Sequence, residues 1–270
     1  MDNIAGFDIL VQLFSQVDVL MLIFVRVIAF FLFLPVISGQ NVWMLGRIFL
    51  ALCVAVALFM SGAVTTVYLI DSPFGYVYLI LLEFMVGMAM GYVLFAVFNL
   101  VFFSGQLMDF QIGLMMVNVL DPMTQIQVPI TGNLFYFAIL AMLVATGGLH
   151  AFLFTFFYSY QVLPIGTAIV VGNSDVAWYL VILLVQTVVL ALRISMPIFG
   201  TMMVINGALG IMVKTVPQMN IFVVGLPLKL IIGIILLWLV MAPNMNVMFW
   251  QMFDMAHNGM MEVMWGLRPR

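Results

Sequence analysis

The sequence predicts an all-α integral membrane protein with about six hydrophobic segments, and three observations predict it. Of 270 residues, 67% are hydrophobic and 6% charged, with a mean hydropathy of +1.31, whereas a soluble domain carries roughly 45–50% apolar and about 25% charged residues. No water-exposed surface can be built from this composition, so the chain belongs in a membrane or inside a hydrophobic assembly. A bilayer crossing needs about 20 apolar residues. Positions 27–46, 48–70, 84–108 and 230–253 supply 20, 23, 25 and 24 residues without one Asp, Glu, Lys or Arg. Lastly, these runs are continuous, as membrane helices are, whereas an outer-membrane barrel would show short segments of alternating apolar and polar residues.

The expected segments are Val17–Ile37, Ile48–Ile70, Phe74–Phe103, Leu134–Tyr160, Trp178–Gly207 and Pro227–Phe249. No linker, low-complexity tract or internal repeat interrupts them, so one helical membrane domain over residues 1–270 is expected. The start, with Asp2, Asp8 and Asp18 and no base, lacks the basic region of a cleaved signal peptide, so the first segment is expected to stay. An outside N-terminus would put Arg47, Lys214 and Lys229 inside and Asp71 and Asp175 outside, but would leave Arg268 and Arg270 on the wrong side. Seven Lys and Arg against ten Asp and Glu give a net charge of −3, which removes a basic nucleic-acid face and a polybasic lipid-binding patch. The single cysteine, Cys53, excludes disulfides within the chain.

Charges in an apolar chain must find partners, water or headgroups, because an unpaired charge there costs several kcal/mol. Arg26, Glu83, Asp109, Arg193, Lys214 and Lys229 lie in or beside apolar runs. They are scattered in position and sign, which favours structural pairing over a relay; a transporter or proton channel using Glu83, Asp109 and Arg193 is the alternative. Glu83, Gly87 and Gly91 share a helix face at four-residue spacing, and the two glycines let a neighbouring backbone come close.

The stretch from Gly105 to Pro129 is the most unusual. Gln106, Asp109, Gln111, Asn118, Asp121, Gln125 and Gln127 cannot face lipid together, and Gly105, Gly113, Pro122 and Pro129 break regular helix. Polar irregular backbone at membrane depth is tolerated where protein buries it or a water-filled cavity lies beside it. Leu114-Met115-Met116-Val117 in its middle argues against a plain solvent loop, so a lumen-facing or re-entrant segment is expected. Methionines re-pack around variable shapes; of the 25 present, Met108, Met115 and Met116 are assigned a sealing role.

Signs of an enzyme are sparse. His150 after Gly147-Gly148-Leu149 and His257 near the end have no second His, Cys or spaced carboxylate for a metal, and no phosphate loop or serine elbow is present. No catalytic residue, metal or cofactor is expected, and His150 reads as a polar residue at a helix break.

Several patterns then coincide in order: Arg26 with Pro35, Arg47, Glu83-x-x-x-Gly87-x-x-x-Gly91 and Gly105-x-x-x-Asp109-x-Gln111-x-Gly113. Asp121-Pro122, Gln127-x-Pro129, Gly147-Gly148-Leu149-His150, Pro217-Gln218-Met219-Asn220-x-Phe222 and Gly225-x-Pro227-x-Lys229 complete the series. In this series, over about residues 10–250, the chain resembles the FliR family of flagellar export proteins and their SctT counterparts in virulence type III secretion. Two departures stand out: Lys214 where an arginine is expected, which keeps charge but loses the planar fork, and Leu149 between glycine and His150.

The resemblance implies a non-enzymatic subunit of a protein export gate, assembled with FliP-like and FliQ-like subunits and further export proteins. The assembly would belong to the bacterial inner membrane, at a flagellar basal body or injectisome base, would be lifted out of the membrane plane, and would pass unfolded proteins. It implies bent helical hairpins: a FliP-like part over 10–175, a FliQ-like hairpin over 176–250 and a tail over 251–270. Residues 105–129 would be a plug loop in the channel, formed by Gly105, Gln106, Met108, Asp109, Gln111, Gly113, Met115, Met116, Asp121 and Pro122. Arg26, Arg47, Glu83, Gly87, Gly91, Arg193, Lys214, Pro217, Gln218, Asn220 and Lys229 would pack and pair between subunits.

Overall fold

The computed structural model describes residues 2–37, 43–62, 64, 73–115, 129–166, 174–215 and 221–268, and these are almost wholly helical. In chain order the helices are α1 (Asp2–Phe31), α2 (Met44–Met60), α3 (Pro73–Ile112), α4 (Ile130–Ala145), α5 (Gly148–Val162), α6 (Ser174–Thr215), α7 (Ile221–Leu236) and α8 (Ala242–Gly266). A π-helical turn, Leu237–Met241, joins α7 to α8. Among the described residues, three helical stretches are long and apolar enough to cross a membrane, Pro73–Ile112, Val176–Thr215 and Val223–Met241, or four if α4 and α5 count as one broken span.

The ends of these helices follow from local chemistry. Proline opens α3, where its missing N–H lacks an acceptor anyway. Gly113 closes it at φ +94°, its N–H returning to the Asp109 carbonyl at 3.0 Å. The expected segment Leu134–Tyr160 is interrupted: Gly147 at φ +72° separates α4 from α5 and ends the run that hydrophobicity alone would continue. Pro197 sits inside α6. Pro243, the second residue of α8, follows the π turn, as expected where a proline ring would clash with the carbonyl four residues back.

Contacts divide the chain into two compact units, each gathered from segments far apart in sequence. Unit 1 comprises residues 1–95, 147–183 and 255–270. Its core joins Leu22, Ile23, Val27 and Phe30 of α1 to Val86 and Met90 of α3, Phe152, Phe156 and Tyr160 of α5 and Met260 and Met264 of α8. Phe30 and Phe156 stack with ring centres 4.2 Å apart. Unit 2 comprises residues 96–146 and 184–254, with a core of Val97, Val101, Met108 and Ile112 of α3, Phe135 and Ile139 of α4, Ile198 and Met202 of α6 and Phe249 and Met252 of α8. Large apolar side chains are nonetheless exposed along α2, α6 and α7, among them Phe49, Val204 and Ile231. Faces of this kind call for lipid or another protein.

Candidate functional site: buried charges and close helix crossings

The three buried charges among the described residues make two centres, one in each unit. In unit 1, Arg26 Nε donates to Glu83 Oε2 at 2.5 Å, with both side chains at most 1% exposed. The rest of the guanidinium is matched as well. Both terminal nitrogens donate to the Leu163 carbonyl at 3.1 Å, and the Tyr160 ring lies 4.4 Å from the guanidinium carbon. The Tyr160 hydroxyl in turn donates to the Ile23 carbonyl at 3.3 Å. Leu163 caps the C-terminus of α5, where unpaired carbonyls and the helix dipole favour a cation. Arg26 therefore ties α1 to α3 by charge and to α5 by closing its last turn.

Glycine spacing brings the helices close enough for this. A Cβ on Gly87 would overlap the Arg26 carbonyl oxygen and lie 2.9 Å from Ala29 Cβ, and one on Gly91 would lie 2.9 Å from Phe33 Cβ. The expected shared face of Glu83, Gly87 and Gly91 is present, one to two turns of bare backbone next to one charge. Arg26 and Glu83, expected to pair between subunits, pair with each other in this chain, and Gly87 and Gly91 pack against the α1 backbone and side chains of the same chain.

Unit 2 repeats the device with opposite sign. The Asp109 carboxylate accepts from the Thr131 backbone N–H at 3.2 and 3.3 Å and from the Thr131 hydroxyl. Thr131 is in the first turn of α4, whose cap residue, Pro129, offers no side-chain acceptor. Asp109 thus caps α4 from another helix, on the terminus where a negative charge is favoured. One turn earlier, a Cβ on Gly105 would overlap the backbone of Gly132. Farther along, the Asn206 amide donates to Gln111 Oε1 at 3.4 Å, and a Cβ on Gly233 would lie 2.5 Å from Ile112 Cγ2.

These contacts correct the expected start of the irregular stretch. Gly105, Gln106, Met108, Asp109 and Gln111 are helical, and α3 runs on to Ile112. Gly105 stays in the helix because the Gly132 backbone occupies the place of a side chain. Met108 is fully buried in unit 2, whereas Gly113 and Met115 lie in the turn beyond the helix and are half-buried. Met116, Asp121 and Pro122 fall outside the described residues, as do Pro217, Gln218 and Asn220. Arg193 and Lys214 are exposed, and Arg47 and Lys229 are half-buried. His150 is exposed just after the break at Gly147, and His257 Nδ1 is 3.2 Å from Thr155 Oγ1. Among the described residues, no three His, Cys, Asp or Glu side chains converge as metal ligands would. The Leu163 carbonyl, Tyr160, Thr131 and Gly132 had no signal in the sequence, since any residue supplies a carbonyl and a Thr is unremarkable at a helix start.

Buried charges that cap and clamp apolar helices, together with broad exposed apolar faces, define a structural membrane protein made to be covered by lipid or by other subunits. Residues 17–256 match the family described as "Bacterial export proteins, family 1", and the chain belongs to that family. It is 32% identical over 218 residues to the flagellar biosynthetic protein FliR of Bacillus subtilis (strain 168), covering 80% of this chain and 83% of that one. It is 25% identical over 236 residues to the FliR of Escherichia coli (strain K12), covering 85% and 88%. The surface presentation of antigens protein SpaR of Shigella flexneri matches at 25% over 218 residues, covering 80% and 82%. Membership makes the chain a structural membrane subunit of a type III protein-export apparatus and not an enzyme.

Proposed function

We propose that the chain forms part of the wall of a type III export channel for unfolded proteins, and that the connector between α3 and α4 is its internal plug. The reading rests on one observation: Asp109 and Gly105 on α3 are clamped to Thr131 and Gly132 on α4, so both ends of the 113–128 connector are held at one fixed point. A segment with a rigid stem can be displaced by a passing polypeptide and return to the same place. Its polar residues and Met115 and Met116 suit a seal that must accept varied shapes. The experiment is deletion of Leu114–Val117, which lies beyond the helix and leaves the Asp109–Thr131 clamp in place. Assembled complexes carrying it are expected to leak ions across the membrane; assembled complexes with unchanged ion flux would overturn the plug.

FliP-like and FliQ-like subunits are the proposed partners, in the inner membrane at a flagellar basal body or an injectisome base. Residues 176–250 supply the proposed FliQ-like hairpin, with Lys214 beside its tip. Lys229 is the one charge in the Val223–Met241 stretch, and half-burial leaves it open to a carboxylate on a neighbour. Lys229→Ala is expected to prevent co-purification of the partners, and full recovery of the complex would refute the pairing.

A further inference from the structure

Within unit 2, one face of α6 is uncovered. Arg193, Pro197, Gly200, Val204, Gly207, Ile211 and Lys214 follow one another at alternating spacings of four and three residues, and every one of them is exposed, Val204 by 73% and Ile211 by 68%. At 3.6 residues per turn these positions share a single stripe about 32 Å long. The alternation is that of the seam along which two helices supercoil.

Gly200 and Gly207 stand at equivalent positions of this seam, one heptad apart. A Cβ on either would meet nothing within 4 Å, whereas on Gly87, Gly91, Gly105 or Gly233 it would meet a neighbouring helix of this chain. The close approach that glycine allows inside the chain is therefore prepared here without a second helix to use it. Glycine weakens a helix unless a backbone comes near, and lipid would be as well covered by bulky side chains at 200 and 207.

The ends of the seam fix the charge of its occupant. Between Arg193 and Lys214 the chain has no charged residue, and among the described residues neither of the two is in an ion pair. A second copy of this chain would set cation against cation in either orientation, Arg193 on Arg193 and Lys214 on Lys214 if parallel, Arg193 on Lys214 if antiparallel.

We infer that the seam docks one apolar helix of a different subunit of the export apparatus, which carries a carboxylate near each end, about three heptads apart. Its backbone comes close at Gly200 and Gly207, and its acids meet Arg193 and Lys214. The Arg193 guanidinium can hold its carboxylate through two N–H donors at once, the Lys214 ammonium as a point charge. The inference rests on the proposed assembly with other subunits and not on the plug.

The test uses the full chain co-expressed with the other export subunits. Gly200→Leu and Gly207→Leu fill the seam from open space, so the amount of chain in membranes should hold while recovery of the docked subunit falls about fivefold or more, the weight of one close helix contact. Gly210→Leu also starts from open space but lies about a quarter turn off the stripe, and it should assemble as the parent does. Benzoyl-phenylalanine in place of Val204 should cross-link to one helix of another subunit. Arg193→Glu should lose that subunit and regain it when a lysine replaces the carboxylate at the matching end of the cross-linked helix. Equal recovery by the parent, Gly200→Leu and Gly207→Leu, equal loss in Gly210→Leu, or adducts at 204 with lipid or a second copy overturn the seam and leave the assembly standing. Failure of the parent itself to recover any export subunit overturns the assembly on which the seam rests.

Discussion

Arg26 and Glu83 form a 2.5 Å ion pair at the crossing of α1 and α3, with both side chains out of reach of solvent. Removing one partner strands a charge, and stranding a buried charge costs about 3–5 kcal/mol. Arg26→Ala and Glu83→Ala are each expected to lower the amount of folded protein in membranes severalfold and to depress thermal unfolding in detergent. Arg26→Met combined with Glu83→Leu leaves no charge stranded, so it should recover part of that loss; what remains unmatched is the Leu163 carbonyl. A double variant no better than the single ones would show that shape and not charge governs this crossing.

Glycine substitutions separate close crossings from open helix. Gly87→Val and Gly105→Val meet backbone atoms, which cannot move aside as a side chain can. Both are expected to abolish accumulation of the folded chain. Gly200→Ala and Gly207→Ala meet nothing within 4 Å and exchange a poor helix former for the best one, a gain of about 0.5–1 kcal/mol each. Western blots of membrane fractions read the first pair, and thermal unfolding the second.

The class of fold, the broad positions of the apolar helices and the need of each embedded charge for a partner were legible in the sequence, because composition, run length and desolvation are local or additive. Glu83-x-x-x-Gly87-x-x-x-Gly91 was legible as a packing face since helical geometry alone puts the three together. The partners were not. Arg26 reaches Leu163 across 137 positions, and nothing in a residue's type marks its carbonyl as the one to be capped. In the sequence Gly105 reads as a breaker because glycine is a poor helix former, a deficit of about 1 kcal/mol. Contact with the Gly132 backbone outweighs it, and that contact is visible only after folding. The break at Gly147 is legible only through His150, read as a polar residue at a helix break, since the apolar run Leu134–Tyr160 continues across it; Gly147 is there for its left-handed conformation, whereas Gly105 is needed for its missing side chain.

The break itself gives a third prediction. At φ +72° Gly147 occupies the left-handed region, which costs other residues about 1–2 kcal/mol. A Cβ there would meet no atom within 4 Å, so any effect of Gly147→Ala reports backbone strain and not a clash. A modest fall in thermal stability is expected, with Gly147→Asn falling less because asparagine tolerates this conformation better. A loss in Gly147→Asn equal to that in Gly147→Ala would point to a cause other than dihedral strain.

Asp109 distinguishes a structural subunit from a proton-conducting one most directly. As a cap it needs only an acceptor aimed at the Thr131 N–H and hydroxyl. Asn retains one such oxygen and loses the charge that favours the helix start. Asp109→Asn should therefore cost about 1 kcal/mol, within the range for altered caps, and leave export measurable. Asp109→Ala and Asp109→Leu remove the acceptor, free α4 at its first turn and loosen the stem of the 113–128 connector. They are expected to reduce export and raise ion leakage together. A relay carboxylate would behave differently, since amide and aliphatic replacements both abolish proton transfer. Secretion and membrane ion flux measured side by side for the three variants decide the matter: abolition of export by Asp109→Asn in an assembled complex would remove the capping role and restore the relay.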